Sequence, residues 1–300
     1  MCKIISAKSY DYNELFKVTK KLLKEYDFLK PINLGKSCFG REIKGLKIGN
    51  SCDYSLITAA THGSEYITET VLLMFIENLC SALKYDGSIA GFNAKKAMYN
   101  RGVIFVPCVN PDGVEIAING AKGCGDRQAE INKICLGDFK HYNANFRGVD
   151  INHNFKAGWE DLHRLEQKEG IFGPSPTQYG GPYPESEPET AALTSLCKNE
   201  EIRHVVALHS QGEVIYWCYG EKRPPKSREI AEILATSSGY ALDVPLGLAN
   251  GGGFKDWFIE CFDKPGFTIE MGLGKNPLPI EYAEKIYKQT EEMLMLCTIV

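Results

Sequence analysis

The segment "SLITAATHGSEYITETVLLMFIENLCSAL", residues 55–83, joins a short apolar run to a longer amphipathic run through a polar turn. The first run, which ends at residue 60, is typical of a strand buried on both faces of a sheet. The second run, residues 68–83, has helical spacing of its apolar residues and predicts a helix. A strand that leads directly into a helix indicates an α/β fold.

The rest of the chain repeats this alternation. Further strands are predicted in "GREIKGLKIG" (40–49), "HVVALHS" (204–210) and "GFTIEMG" (266–272), and another in "GVIFVPCVNPDG" (102–113), closed by an Asn-Pro-Asp-Gly turn. Helices are predicted over about 12–26, 186–198, 226–238 and 279–296, and the pairs Asp11/Glu14 and Ser186/Glu189 resemble capping boxes. The pattern predicts one α/β domain over residues 1–300, with a mixed, mostly parallel sheet, helices on both faces and residues 1–30 as a peripheral helical segment.

Composition narrows the classes of function. The chain has 34 Lys and Arg against 38 Asp and Glu, a net charge of −4, and no polybasic run, so we expect neither nucleic acid nor a membrane surface as a partner. The 11 cysteines include no Cys-x-x-Cys pair, and most, such as Cys80, Cys108, Cys197 and Cys297, sit in apolar patterns as reduced core residues would.

The first residues lack the pattern of a secretory signal, and no window approaches the ~18 apolar residues of a membrane span. We therefore expect a cytoplasmic protein. The sequence predicts no particular oligomeric state.

The region from residue 114 to 185 departs from the alternation and is rich in Gly, Asn, Pro and charge. Long loops inside a compact domain are uncommon and are usually functional. We expect this region to form the wall of a site.

Three residues at predicted strand ends have the chemistry of metal ligands. His62 and Glu65 follow the first strand, and His209 ends the strand "HVVALH". Ligands bind at the carboxyl ends of strands in α/β sheets, and two His with one Glu is a ligand set of catalytic zinc. A second His-x-x-Glu pair, His163 and Glu166, lies in the charged segment "EDLHRLEQKE" and is interpreted as a solvated helix face. Taken alone, His209 could equally be a core histidine at the end of a strand.

Glu270 is the candidate general base. It lies in the apolar strand "GFTIEMG", where desolvation would raise the pKa of a carboxyl group toward working pH. A salt bridge to an unidentified Arg or Lys is the alternative reading of this residue.

Six short motifs together resemble those of the zinc carboxypeptidase family. They are "HGSE" (62–65), "NPDG" (110–113), "GVDINHNF" (148–155), "SEPET" (186–190), "LHS" (208–210) and "FTIE" (267–270), in the family's order. The resemblance implies a single α/β domain with an eight-stranded mixed sheet, one Zn²⁺ per chain held by His62, Glu65 and His209, and amide hydrolysis by a zinc-bound water with Glu270 as base.

Departures from the family pattern bear on the substrate. Asn152 and His153 stand where ordinary carboxypeptidases carry Asn-Arg to grip the terminal carboxylate, and a neutral imidazole cannot replace the guanidinium fork. Leu248 falls at the place of the family's mobile tyrosine, and Lys255 stands at a position that resembles the floor of the family's pocket for the residue beyond the scissile bond. An exposed lysine on a turn is the alternative reading of Lys255. These changes resemble the branch that cleaves γ-D-glutamyl-diamino acid bonds, whose meso-diaminopimelate would offer Lys255 a carboxylate.

The resemblance also implies an arginine that polarises the scissile carbonyl. Arg147 is the first candidate and Arg127 the second, although either could be a surface charge. The predicted activity is therefore zinc-dependent hydrolysis of a small acidic peptide such as L-Ala-γ-D-Glu-meso-diaminopimelate, bound by Asn152, His153 and Lys255. The alternatives are a zinc-dependent deacylase or amidase of small acylated amino acids and a catalytically silent protein that binds wall peptides.

Overall fold

A computed structural model describes residues 3–49 and 53–300. Within these residues helices and strands are interspersed along the chain, and some of the connections contain a 3₁₀ turn. The α-helices are α1 Tyr12–Glu25, α2 Ile67–Tyr85, α3 Ala94–Ala97, α4 Pro111–Asn119, α5 Gln128–Cys135, α6 Trp159–Lys168, α7 Pro188–Asn199, α8 Ser227–Ser238, α9 Phe254–Phe262 and α10 Ala283–Cys297. The strands are β1 Lys30–Lys36, β2 Glu42–Ile48, β3 Tyr54–Thr58, β4 Ser88–Ile89, β5 Phe92–Asn93, β6 Gly102–Val106, β7 Ile202–His209, β8 Val214–Tyr216, β9 Ala241–Asp243 and β10 Gly266–Glu270.

One eight-stranded sheet, in the order β1-β2-β6-β3-β7-β10-β8-β9, organises the domain. Its centre, β6-β3-β7-β10, is parallel, whereas β1, β2 and β8 pair antiparallel with a neighbour. The central strands β3 and β6 are buried at every position, since helices cover both faces of a parallel sheet. The predicted single α/β domain with a mixed, mostly parallel sheet is confirmed.

Neighbouring residues of the central strands enter different hydrophobic clusters. Ile57 packs on the face covered by α2 and α10, whereas Leu56 packs on the face covered by α7 and α9. Residues of the N-terminal segment, such as Ile5 and Leu22, belong to the first of these clusters. The sheet therefore divides the core into two layers, with helices on both sides.

Helix α2 is largely buried inside the fold. Together with the preceding 3₁₀ turn, residues Gly63–Tyr85 are long and apolar enough to span a membrane by length and composition. The expectation that no segment approaches such a span is therefore wrong. The segment is mostly buried inside the fold, because it packs between the sheet and α10 as a core helix.

Two local predictions need correction. The Asn-Pro-Asp-Gly motif does not close a turn; it starts α4, where the Asn110 side chain accepts a hydrogen bond from the Gly113 amide at 2.8 Å. The Ser186/Glu189 pair is not a capping box, since α7 begins at Pro188 and the Glu189 carboxylate instead accepts from the Cys38 amide. The region 114–185 is also less irregular than predicted, because it contains α5 and α6.

Candidate metal centre and active-site cavity

Three parallel strands bring the candidate residues to one edge of the sheet. β3 and β10 lie on either side of β7, and Glu270 pairs in register with His209. The chain leaves β3 at Thr58 and reaches His62 and a 3₁₀ turn, Gly63–Glu65, before α2 begins. Residues distant in sequence therefore meet at the carboxyl ends of the strands.

His62, Glu65 and His209, which we call the His62 cluster, converge within 4.8 Å of one another. Nδ1 of His62 lies 2.9 Å from Oε1 of Glu65, and Nδ1 of His209 lies 3.0 Å from Oε2 of the same carboxylate. The two Nδ1 atoms are 3.3 Å apart. Two imidazole nitrogens and one carboxylate that face a common point fit the donor set of a catalytic zinc site.

Groups behind these side chains fix their orientation. Asp150 Oδ1 lies 3.1 Å from Nε2 of His62, so the nitrogen opposite Nδ1 is held by a carboxylate. Asn276 donates from Nδ2 to Oε1 of Glu65 at 3.2 Å. Such partners set the tautomer and ring orientation of metal-binding histidines. Asp150 lies inside the quoted motif "GVDINHNF" but its role was not predicted, and no sequence signal pointed to Asn276.

The electrostatics of the cluster favour a cation. Burial acts to lower the pKa of His62, but the carboxylates of Glu65 and Asp150 outweigh it and raise that pKa well above its usual range. Burial would likewise raise the pKa of Glu65, yet His62 and His209 lower it to about 2. Positive charge is therefore stabilised at this point of the fold.

A cavity of about 190 Å³ opens beside the cluster. His62 and Glu270 both line it, and burial together with the Glu65 carboxylate raises the pKa of Glu270 well above its usual range, against the opposing effect of His62. The predicted region 114–185 contributes Asp150, Asn152, His153, Thr177 and Gln178 to the cavity wall. The remaining lining residues are Tyr216, Pro245, Leu248, Ala249, Gly251, Gly253, Lys255, Asp256 and Thr268.

All three predicted substrate-binding residues line this cavity. Asn152 is anchored by its Oδ1, which accepts from the Phe254 amide at 3.1 Å. Lys255 is buried rather than exposed on a turn: its ammonium donates to the Cys218 carbonyl at 2.7 Å and pairs with Asp256. The cavity lining therefore includes an ion pair, which the sequence did not reveal.

The interpretation of His163 and Glu166 as a solvated helix face is wrong. Glu166 is fully buried, and its carboxylate lies 2.8 Å from Nδ1 of His153 and 2.9 Å from Nδ1 of His163. The charged sequence around it concealed this, because Leu162 and Glu166 share the buried face of α6.

Neither arginine candidate is among the described residues that line the cavity. Arg147 places its Nη1 atom 3.5 Å from Oε2 of Glu187, with 55% of its side chain exposed. Arg127 pairs with Glu130 on the surface. Polarisation of the carbonyl by Arg147 stays a prediction.

A second set of donors lies away from the cavity lining. Cys38, Glu187 and Glu189, which we call the Cys38 cluster, also lie within 4.8 Å of one another. Asn145 donates to both carboxylates, at 2.7 and 3.1 Å. The Cys38 amide donates to Oε1 of Glu189 at 2.9 Å, and Ser186 donates to Oε1 of Glu187 at 2.9 Å. The carboxylate oxygens of this cluster are thus satisfied by the protein itself.

Comparison with known proteins agrees with this geometry. The family model of zinc carboxypeptidases, whose members depend on zinc, matches residues 16–294. The chain is 36% identical over 288 residues to gamma-D-glutamyl-L-diamino acid endopeptidase 1 of Lysinibacillus sphaericus, covering 94% of this chain and 70% of that protein. Bovine thrombin-activatable fibrinolysis inhibitor superposes with a TM-score of 0.73 at 20% identity, covering 97% of both chains. The murein-tripeptide amidase MpaA of Escherichia coli O157 superposes with a TM-score of 0.56 at 23% identity, covering 88% of this chain and 91% of that one. The chain therefore belongs to the zinc carboxypeptidase family and is a metallopeptidase.

Proposed function

We propose that this protein hydrolyses the amide bond between γ-D-glutamate and meso-diaminopimelate in peptides derived from the bacterial cell wall. The observation that carries the proposal is that His62, a member of the His62 cluster, lines one cavity together with Glu270 and a buried lysine, Lys255. The bond named for the Lysinibacillus sphaericus endopeptidase, which is 36% identical to this chain, supports the choice of scissile bond.

His62, Glu65 and His209 would hold one zinc ion, with Asp150 and Asn276 keeping His62 and Glu65 in place. Zinc at this site would supply a Lewis acid for the scissile carbonyl and for a water molecule. Glu270 takes a proton from the attacking water as the water oxygen bonds to the carbonyl carbon, and it delivers a proton to the leaving amine as the C–N bond breaks.

Other residues that line the cavity bind the substrate in this proposal. Lys255 and its partner Asp256 offer a cation and an anion together, which suits a side chain that ends in both an ammonium and a carboxylate. Asn152 and His153 line the same cavity and replace the Asn-Arg pair of ordinary carboxypeptidases. We propose an acidic peptide such as L-Ala-γ-D-Glu-meso-diaminopimelate as substrate and imported wall fragments in the cytoplasm as its source.

The test is incubation of the zinc-loaded protein with a set of γ-D-Glu-linked peptides and, in parallel, with N-acyl amino acids. Mass spectrometry should detect release of the diamino acid from the meso-diaminopimelate peptide, and a chelator should abolish it. Faster cleavage of N-acyl amino acids would identify a deacylase instead. Tight binding of the tripeptide without cleavage by the zinc-loaded protein would identify a silent binding protein.

A further inference from the structure

Asn143 is locked against the 3₁₀ turn Gly63–Glu65, which we call the ligand turn. The Asn143 carbonyl accepts from the Gly63 amide at 3.0 Å and from Nδ2 of Asn110 at 3.1 Å. A Cβ at Gly63 would lie 2.5 Å from the Tyr142 carbonyl oxygen, so the two segments can approach this closely only because residue 63 is glycine. The backbone of Asn143 is therefore held in place beside the ligand turn.

The side chain of Asn143 has one end bound and one end free. Its Oδ1 accepts from the hydroxyl of buried Ser64, which lies directly before Glu65 in the ligand turn. Within residues 3–49 and 53–300, its Nδ2 donates to no other group and is not enclosed as a buried orphan atom, and Asn143 is only half-buried. Because the hydroxyl occupies the amide oxygen, the two N–H groups face away from Ser64 and are available to a ligand.

The other neighbours of Asn143 belong to the wall of the cavity. Its backbone N–H donates to the Pro176 carbonyl at 2.9 Å. The next two residues, Thr177 and Gln178, line the cavity, and both donate to the carboxylate of Asp150, at 3.4 and 2.8 Å. Asn143 therefore lies where the ligand turn meets the start of the cavity wall.

Hydrolysis of an amide creates a negative charge that such a donor can stabilise. As the water oxygen bonds to the scissile carbon and a proton passes to Glu270, the π electrons of the C=O bond move onto the carbonyl oxygen. They return when the C–N bond breaks and the leaving amine takes a proton. One preorganised donor to this oxyanion is worth about 10²–10³-fold in kcat. Arg147 and Arg127 instead pair with Glu187 and Glu130.

We infer that Asn143 is a catalytic residue that donates a hydrogen bond from Nδ2 to this oxyanion, and that Ser64 is a positioning residue that aims the amide. The scissile carbonyl must approach the His62 cluster, and the free amide of Asn143 is fastened to the turn that leads from His62 to Glu65. The inference rests on the proposed function only for the peptide used to test it.

The test separates binding of the substrate from stabilisation of the oxyanion. Zinc-loaded Asn143→Ala protein should hydrolyse L-Ala-γ-D-Glu-meso-diaminopimelate with kcat lowered about 100-fold and KM changed by less than about threefold. Asn143→Asp keeps an oxygen for Ser64 but has no N–H to donate, so it should lose at least as much. Asn199→Ala, which removes an exposed asparagine–serine hydrogen bond on α7, is the matched control and should retain wild-type kcat.

A phosphinate analogue of the same peptide, in which a P–O⁻ group replaces the scissile carbonyl, gives a second measure. Its inhibition constant should rise about 100-fold in Asn143→Ala protein, in parallel with the fall in kcat/KM, because the analogue carries the charge of the oxyanion. The uncleaved peptide, titrated by calorimetry into Glu270→Gln protein with and without Asn143→Ala, should bind with affinities that agree within about threefold. A variant that has merely lost structural support would bind both ligands more weakly and keep their ratio.

Ser64→Ala tests the positioning role. It should lower kcat about 10-fold in the wild-type background and cause no further loss in Asn143→Ala protein, since Ser64 acts only through Asn143. Zinc content and thermal melting confirm that each variant is loaded and folded. If Asn143→Ala does not fold, Asn143→Asp and Ser64→Ala decide in the same way.

Wild-type kcat in folded Asn143→Ala or Asn143→Asp protein would overturn the inference, as would equal weakening of the peptide and the phosphinate. A full additional loss from Ser64→Ala in the Asn143→Ala background would overturn the positioning role. If the wild type cleaves N-acyl amino acids in place of the peptide, the proposed function fails, and the kcat of the same variants on that substrate decides this inference. If the wild type cleaves neither, no oxyanion forms and the inference fails with it.

Discussion

The His62 cluster and the Cys38 cluster each bring three metal-capable side chains within 4.8 Å, yet they differ in how their atoms are satisfied. In the Cys38 cluster, amide and hydroxyl groups donate to the carboxylates of Glu187 and Glu189. In the His62 cluster, two ring nitrogens and a carboxylate point at one another, and His62 borders an open cavity.

The difference shows that proximity of ligand-type residues does not define a metal site. A buried network that satisfies its own atoms stabilises the fold, whereas two ring nitrogens and a carboxylate that face one point beside a cavity form a donor set that can bind a cation. The partners of each cluster, rather than its members, identify its role.

The largest expected effect is on metal content. His209→Ala removes one of three ligands, so bound zinc should fall from about one ion per chain to near zero, with loss of activity. Cys38→Ser is the matched change in the other cluster and should leave zinc content unchanged. Metal analysis after gel filtration measures both, and equal loss of zinc in the two variants would contradict the distinction.

Glu270→Gln should lower kcat by about 10³-fold or more while zinc stays bound, because the amide cannot accept a proton from water. Glu260→Gln, an exposed glutamate of α9, is the control and should retain wild-type turnover. Turnover by Glu270→Gln close to the wild-type rate would remove this residue from the proposed mechanism.

A smaller effect is expected at Asp150, which holds His62 from behind. Asp150→Asn should weaken zinc binding by about 10–100-fold, since the amide keeps the shape but loses the charge that orients the ring. Competition with a chromogenic chelator measures the affinity. An unaltered affinity would show that Nε2 of His62 needs no carboxylate partner.

The Cys38 cluster should affect stability instead. Burial, with a smaller contribution from Asp112, raises the pKa of Glu189 from 4.5 to about 7, against the Cys38 amide that lowers it. A raised folded pKa gives stability that is fully present below pH 4.5 and is lost as pH rises through about 7. Between pH 6 and 8 the free energy of unfolding should therefore fall by about 1 kcal/mol from this group.

Urea denaturation at the two pH values measures that change. Glu189→Gln lacks this titration. Its free energy of unfolding should therefore fall by about 1 kcal/mol less than that of the wild type between pH 6 and 8. A variant whose stability falls as steeply with pH as the wild type would contradict the assignment of this titration to Glu189.

The sequence predicted those features that depend on one strand or one turn. The apolar run before His62 and the run that ends at His209 identified two strand ends, and the parallel sheet brings them together. The apolar neighbours of Glu270 identified β10 in the same way, and Glu270 lies half-buried at the end of that strand.

Features that depend on contacts between distant segments were not predictable. Glu166 lies in a sequence that looks solvated, and its burial depends on His153, 13 residues earlier in the chain. Glu189 has the spacing of a capping residue but accepts from the Cys38 amide, 151 residues away. Local patterns cannot distinguish these outcomes, because the competing partner is supplied by tertiary packing.

The most direct test of the account is a crystal structure of the zinc-loaded protein with anomalous data collected at the zinc edge. The account predicts one anomalous peak, about 2.0–2.2 Å from Nδ1 of His62, Nδ1 of His209 and the Glu65 carboxylate. A peak at the Cys38 cluster, or coordination of His62 through Nε2 in place of Nδ1, would contradict it.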